Sequence, residues 1–226
     1  MAETEEKTGI NINETLGKAE LFINNNKKSL SIIVGAIALA VGGYLYYQYS
    51  YVAGVEKEAE SQMFRAEEYF RNDSLKLAIN GDGNFPGFDE IISSYGVSPS
   101  ANLAKLYLGT TYLKAKEYDK AIETLKSYSG EDEITPSLAL GAIGDAYMEQ
   151  KNMDDAINYY EKSVKEKPNN FSTPILMMKL AAAYEMKGNY KDAAEVYTRL
   201  KKDYSATQEG QSAGKYIARA EALSGN

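Results

Sequence analysis

Five residue columns recur through the second half of the chain at the same two intervals, and this recurrence limits the fold more than any other feature. Gly109, Gly144 and Ala181 are separated by 35 and then 37 residues. The same two steps connect Tyr112, Tyr147 and Tyr184, then Tyr118, Met153 and Tyr190. They also connect Ala121, Ala156 and Ala193, and Leu125, Tyr160 and Tyr197. Self-similarity at this period predicts a solenoid of helix-turn-helix hairpins, one per repeat. Small residues at Gly109, Gly144 and Ala181 let the two helices of a hairpin approach closely. Ala121, Ala156 and Ala193 supply a matching small surface on the second helix, and the tyrosines fill the space between neighbours. Turns are expected at KAKEYD, EQKNMD and MKGNYK, where Gly188-Asn189 suits a chain leaving a helix. Pro168 closes the second repeat, because proline cannot extend a helix interior.

These columns resemble the tetratricopeptide repeat over about 102–207. Leu108-Gly109-x-x-Tyr112, Ile143-Gly144-x-x-Tyr147 and Leu180-Ala181-x-x-Tyr184 carry the resemblance. A looser hairpin precedes them. VEKEAESQMFRAEEYFRNDSLKLAI reads as one long helix with Met63, Ala66, Phe70 and Leu77 near one stripe, and GFDEIISSYG as a short second helix. After the repeats, GQSAGKYIARAEAL places Ala213, Tyr216, Ile217 and Ala220 on one face, as a helix capping an open-ended stack would. Hairpins are therefore expected at about 55–95, 101–128, 136–166 and 173–204, with the cap at 208–223.

The N-terminal quarter is different in kind. No residue from Ser29 to Val55 is charged. Leu30 to Tyr51 would form a helix of roughly 33 Å at 1.5 Å per residue, enough for the ~30 Å hydrocarbon layer. A cleavable signal has a short basic lead and an apolar core of about 7 to 15 residues. Here the lead is 28 residues long and holds Glu3, Glu5, Glu6, Glu14 and Glu20, so residues 29–52 read as a permanent transmembrane anchor. Tyr44, Tyr46, Tyr47, Tyr49 and Tyr51 at its end favour the membrane–water boundary. Lys18, Lys27 and Lys28 precede the span and only Lys57 follows at similar distance. That asymmetry predicts a cytoplasmic tail, residues 1–28, and an exported domain, residues 53–226. In the tail, Leu16, Ala19, Phe22 and Ile23 at helical spacing predict a short amphipathic helix on the membrane surface. Gly35, Ala38 and Gly42 form a small-residue face suited to packing against another membrane helix. The expected fold is all-α: a single N-terminal transmembrane helix followed by a tetratricopeptide-repeat-type helical-hairpin solenoid.

Composition removes several kinds of chemistry. The 25 basic and 32 acidic residues leave a net charge of −7, and no basic run exceeds two residues, so nucleic acid is not an expected partner. With no cysteine and no histidine, the commonest general base and the thiolate and imidazole metal ligands are missing. NGDGNF (80–85) alternates Asn80, Asp82 and Asn84 as a calcium loop does. The glycine and glutamate required at positions 6 and 12 are here Phe85 and Ile91, so a long loop is expected. Asp154-Asp155 and Glu131-Asp132 fall in turns, where solvated charge suffices. No enzyme activity, metal, cofactor or small-molecule substrate is expected.

What remains is the concave face of the solenoid. The repeat's groove positions fall on Thr110, Leu113 and Lys114; on Asp145, Met148 and Glu149; and on Met178, Ala182, Glu185 and Met186. Clamping a terminal carboxylate takes lysine and asparagine at such positions, and Leu106 and Thr110 occupy two of them. Flexible thioethers instead suit varied apolar segments, unless some of these methionines pack against the next repeat.

The layout as a whole is similar to the YfgM-type ancillary subunits of the SecYEG translocon. Phe22-x-x-Asn25-x-Lys27, leading into a Gly/Ala/Leu span that ends in Tyr44 to Tyr51, is the local match. The resemblance implies a non-catalytic, single-pass protein of the bacterial inner membrane, with its C-terminal domain in the periplasm. Its implied partners are a SecYEG-type channel, a membrane-anchored prolyl isomerase-like periplasmic chaperone and unfolded client chains. Two alternatives stand beside it: a scaffold in another envelope assembly or secretion machine, and a self-associating repeat protein.

Overall fold

The computed structural model describes residues 12–225, which are helices and short connections without a strand. They belong to two compact units, Met1–Ala53 and Gly54–Asn226.

The first unit is one element. Helix α1 (Ile12–Tyr46) runs for 35 residues and passes into a π-helical stretch, Tyr47–Val52, where the Tyr47 and Tyr51 rings stack with centroids 5.4 Å apart. The expected surface helix and the apolar span are thus not separate. Nothing between Phe22 and Leu30 breaks the helix. Asn26 instead turns its amide back onto the Phe22 carbonyl at 2.8 Å, and ending a helix there would strand four carbonyls. The acidic residues expected in the tail at positions 1–11 lie outside the described residues. The helix is long and apolar enough to cross a membrane, with a mean hydropathy of 1.8 in an 18-residue window of which none is buried. A side chain added at Gly35 or Gly42 would meet nothing, so that small-residue face is open.

The second unit is a stack of hairpins. Helices α2 (Ala53–Arg71), α3 (Leu75–Asn80) and α4 (Phe88–Ser94) come first. The pairs α5 (Pro99–Lys114) with α6 (Tyr118–Lys126), α7 (Thr135–Glu149) with α8 (Met153–Lys165), and α9 (Thr173–Met186) with α10 (Tyr190–Asp203) follow, and α11 (Gln208–Leu223) ends the stack. Each of α5, α7 and α9 has a proline in its first turn, where the missing N–H has no intrahelical role.

The long helix expected over 55–79 is broken at Asn72–Ser74, and the break exposes a fourth repeat. Asp73 takes φ 56°, Lys116 63°, Lys151 60° and Gly188 83°. Each residue closes its helix in the same way, with the next amide bonded to a tyrosine carbonyl five back: Ser74 to Tyr69, Glu117 to Tyr112, Asn152 to Tyr147 and Asn189 to Tyr184, at 2.8–2.9 Å. This is the Schellman closure. Counting 43 residues back from the first clear repeat puts Ala66 in the column of Gly109, Tyr69 in that of Tyr112 and Ala78 in that of Ala121. Ala66 and Ala78 are fully buried, whereas Leu77, expected on the buried stripe, is exposed. The second helix of this repeat is interrupted by residues 81–87. Asp82 holds that loop by accepting from the Asn84 and Phe85 amides and the Tyr69 hydroxyl.

Within hairpins the close approach is specific. A Cβ on Gly109 would lie 2.5 Å from Leu125, and one on Gly144 2.7 Å from the Tyr160 ring. Leu125 and Tyr160 therefore fill the glycine notch of their own hairpin rather than the gap to a neighbour. Their helices are fixed by cores that include Ile122, Leu125, Ile143 and Ala146 in one cluster and Tyr160, Leu176, Leu180 and Tyr197 in another.

Candidate functional site

The first helices of successive hairpins line one side of the stack, and two clefts open along it. One, of about 390 Å³, is bounded by Phe70 of α2, Leu103, Leu106 and Thr110 of α5, Leu138 and Ala142 of α7 and Ile175 of α9. The other, of about 490 Å³, takes in Leu113, Lys114, Met148, Glu149 and Ala182. Asp145 and Lys179 border both.

Those two shared residues form the polar centre of the groove. Lys179 Nζ lies 2.8 and 2.6 Å from the two Asp145 oxygens, and the Tyr160 hydroxyl donates to Asp145 Oδ1 at 2.7 Å. Burial, reinforced by the Asp145 carboxylate, pushes the Tyr160 hydroxyl well above the ordinary tyrosine range. It therefore stays protonated and remains a donor. Asp145 comes from α7 and Lys179 from α9, three residues short of the 37-residue step, so the pair ties adjacent repeats one helical turn apart. Its charges cancel locally. Lys114 is engaged as well, 3.2 Å from Asp73 and over the Phe70 ring at 4.6 Å.

Seven of the ten residues expected in the groove border these clefts: Thr110, Leu113, Lys114, Asp145, Met148, Glu149 and Ala182. Thr110 spends its hydroxyl on the Leu106 carbonyl at 2.7 Å, so it presents mainly its methyl group. Glu149 accepts from Tyr118 at 3.2 Å. The other three are elsewhere. Met178 is half-buried against the core of the last repeat. Glu185 receives Arg219 of α11 at 2.5 and 3.3 Å, so it joins the cap to the stack. Met186 is exposed beyond both clefts. Sequence reasoning missed Lys179, Phe70 and the wall made by Leu103, Leu138 and Ile175. The last three recur at steps of 35 and 37, a column that could have been found. The cleft beside Phe70 is an apolar trough bordered by one self-neutralised ion pair, whereas the second also carries Lys114, Lys116 and Glu149. The apolar trough can hold an extended or helical segment by shape and burial, with little to attract a charge.

Models of the tetratricopeptide repeat match residues 103–130, 137–170 and 176–207. Tetratricopeptide repeat protein 29 of Homo sapiens is 34% identical over 102 residues, or 42% of this chain, and that of Macaca fascicularis 32% over 100 residues, or 41%. The chain spans about a fifth of the length of these curated relatives, 22% and 21%. Among solved structures, the nearly identical TPR-like repeats of a Podosopora anserina kinesin light chain homologue superpose with a TM-score of 0.59 at 16% identity, covering 75% of this chain and 88% of that one. The MamA protein superposes with a TM-score of 0.51 at 18% identity, covering 73% and 91%. At such identities the likeness shows the fold alone. Residues 103–130, 137–170 and 176–207 thus carry tetratricopeptide repeats, a unit that implies a scaffold for protein–protein interaction.

Proposed function

We propose that this protein is a non-catalytic, membrane-anchored scaffold that serves as an accessory of a Sec-type translocon. In this reading α1 crosses the bacterial inner membrane once, its N-terminal end is cytoplasmic, and Gly54–Asn226 works in the periplasm. The observation that carries the anchor is the complete exposure of the most apolar window of α1. At about 25 cal/mol per Å², leaving such a helix in water would be prohibitive, whereas lipid accepts it and every backbone group is satisfied within it. The lysines at 18, 27 and 28 support the orientation, and the likeness of the tail and span to translocon ancillary subunits supports the channel as neighbour. The apolar groove then offers a surface to emerging, unfolded chains and to the periplasmic chaperone that receives them.

The test is a mild-detergent pull-down of the full-length protein with partners identified by mass spectrometry, run beside a version whose span is replaced by an unrelated membrane helix. Channel subunits and periplasmic chaperones are expected, depleted by the replacement. Recovery of outer-membrane assembly or secretion components would keep the scaffold and replace the translocon. A sharp homo-oligomer without either would point to self-association.

A further inference from the structure

We infer that the repeat domain has a second docking surface, a trough between the second helices α6 and α8 that takes an acidic protein segment bearing an apolar residue. Helix α7 separates it from the groove described above. That helix turns Leu138, Ala142 and Asp145 toward the groove and Pro136, Ala139, Leu140 and Ile143 toward the trough. The trough holds about 380 Å³. Its floor is apolar, and its rim carries two lysines, Lys126 of α6 and Lys162 of α8, with Glu166 as the one carboxylate among its lining residues.

Both lysines converge on the Tyr159 ring, Lys126 Nζ at 5.5 Å and Lys162 Nζ at 4.6 Å from its centroid. Tyr159 itself is stacked on Tyr147 at 5.4 Å. Lys126 also reaches the Tyr147 hydroxyl at 3.4 Å. Among the described residues neither ammonium forms an ion pair, whereas Lys114, Lys120, Lys165, Lys179 and Lys187 each meet a carboxylate. In a molecule with net charge −7, carboxylates are plentiful, yet two like charges share one ring here. The ring faces offset their repulsion only in part. An incoming carboxylate would answer both cations at once. The apolar floor favours a peptide over a phosphate-rich ligand, because headgroups and nucleic acid leave it uncovered and the net negative charge repels polyanions.

The test uses the full-length chain in an uncharged detergent. The probe is a short fluorescein-labelled peptide with glutamates flanking a leucine, and the readout is anisotropy. Binding is expected to weaken with added salt and to fall about tenfold or more in Lys126→Gln/Lys162→Gln, since a hydrogen bond to a charged group contributes about 1.5–3 kcal/mol. Lys126→Arg/Lys162→Arg is expected to retain it. The glutamine-for-glutamate peptide is expected to bind weakly, and Ile175→Arg, an exposed position of the opposite groove on α9, to change nothing. Both lysines are exposed, so the variants keep the wild-type melting temperature. Equal binding by the glutamine pair, or loss through Ile175→Arg, overturns the proposal. So does lysine-dependent capture by phosphatidylglycerol vesicles with no peptide binding, which would make the trough a lipid site.

Discussion

Single residues carry the clearest energetic signatures of the repeat. Lys116 and Lys151 occupy the left-handed position that Gly188 fills in the third clear repeat, and a side chain in that conformation costs about 1–2 kcal/mol. Part of that is returned by the lower entropy a non-glycine residue has when unfolded. Lys116→Gly and Lys151→Gly are thus each expected to stabilise the domain by about 0.5–1 kcal/mol, and Gly188→Lys to destabilise it similarly; urea midpoints measure all three. The glycine notches behave oppositely. Gly144→Ala pushes a methyl group into the Tyr160 ring, whose hydroxyl is tied to Asp145. It should cost about 1–3 kcal/mol, as overpacking does. Gly109→Ala should cost a similar amount, because its Cβ would lie 2.5 Å from Cγ of the buried Leu125 and 3.3 Å from that residue's backbone nitrogen; wild-type stability at either position would contradict this account. The glycine columns were legible in the sequence as small residues. Which side chain each notch receives was not, because Leu125 and Tyr160 sit sixteen residues further along, on the return helix.

At the scale of the helix, the start of α7 is held by a residue outside it. The Asp132 carboxylate accepts from the Thr135 hydroxyl, the Thr135 amide at 2.7 Å and the Ile134 amide at 2.8 Å. Chiefly through the Thr135 hydroxyl bond, its carboxyl is lowered to about 2, against about 3.9 for an unperturbed aspartate. A group depressed in the folded state contributes fully above its unfolded value and loses that contribution as pH falls through the folded one. Stability should therefore drop between about pH 4 and pH 2. Asp132→Asn should flatten that part of the acid limb, and Asp132→Ala should cost about 1 kcal/mol at neutral pH, as losing a cap does. Acid titration followed by circular dichroism checks both. Helix existence was readable from period and proline placement, but two boundaries were not. The break at Asp73 depends on a closure whose partner, the Tyr69 carbonyl, belongs to every helix turn alike. The continuity of α1 through Lys27-Lys28 depends on the absence of any breaker, which a composition shift masks.

The whole molecule divides at residue 53, and in the second unit the cap shares one core with the last two hairpins. A fragment of residues 54–226 is accordingly expected to be soluble, helical and monomolecular in its melting. A fragment that proves unfolded would overturn the solenoid as an autonomous unit. Arg219 of α11 bonds Glu185 of α9 through two nitrogens, and Glu185 is 13% exposed at its side chain. Arg219→Ala leaves that carboxylate half-buried without its partner. It should loosen the cap first, visible as faster hydrogen exchange in α11 and α10 than in α7.

The sequence by itself determined what repetition and composition can carry: an all-helical stack of hairpins, the small and aromatic columns within it, and one helix long and apolar enough to cross a membrane. These are local or periodic properties, written identically wherever the unit recurs. Only the tertiary structure decided what depends on residues from different repeats meeting. It joined Asp145 to Lys179 and so neutralised the groove. It withdrew Met178 into the core, turned Glu185 toward the cap, and brought Lys126 and Lys162 to one ring. The reason is geometric. The offset between contacting positions of neighbouring hairpins is set by helix crossing and turn closure, and no spacing along a single repeat records it.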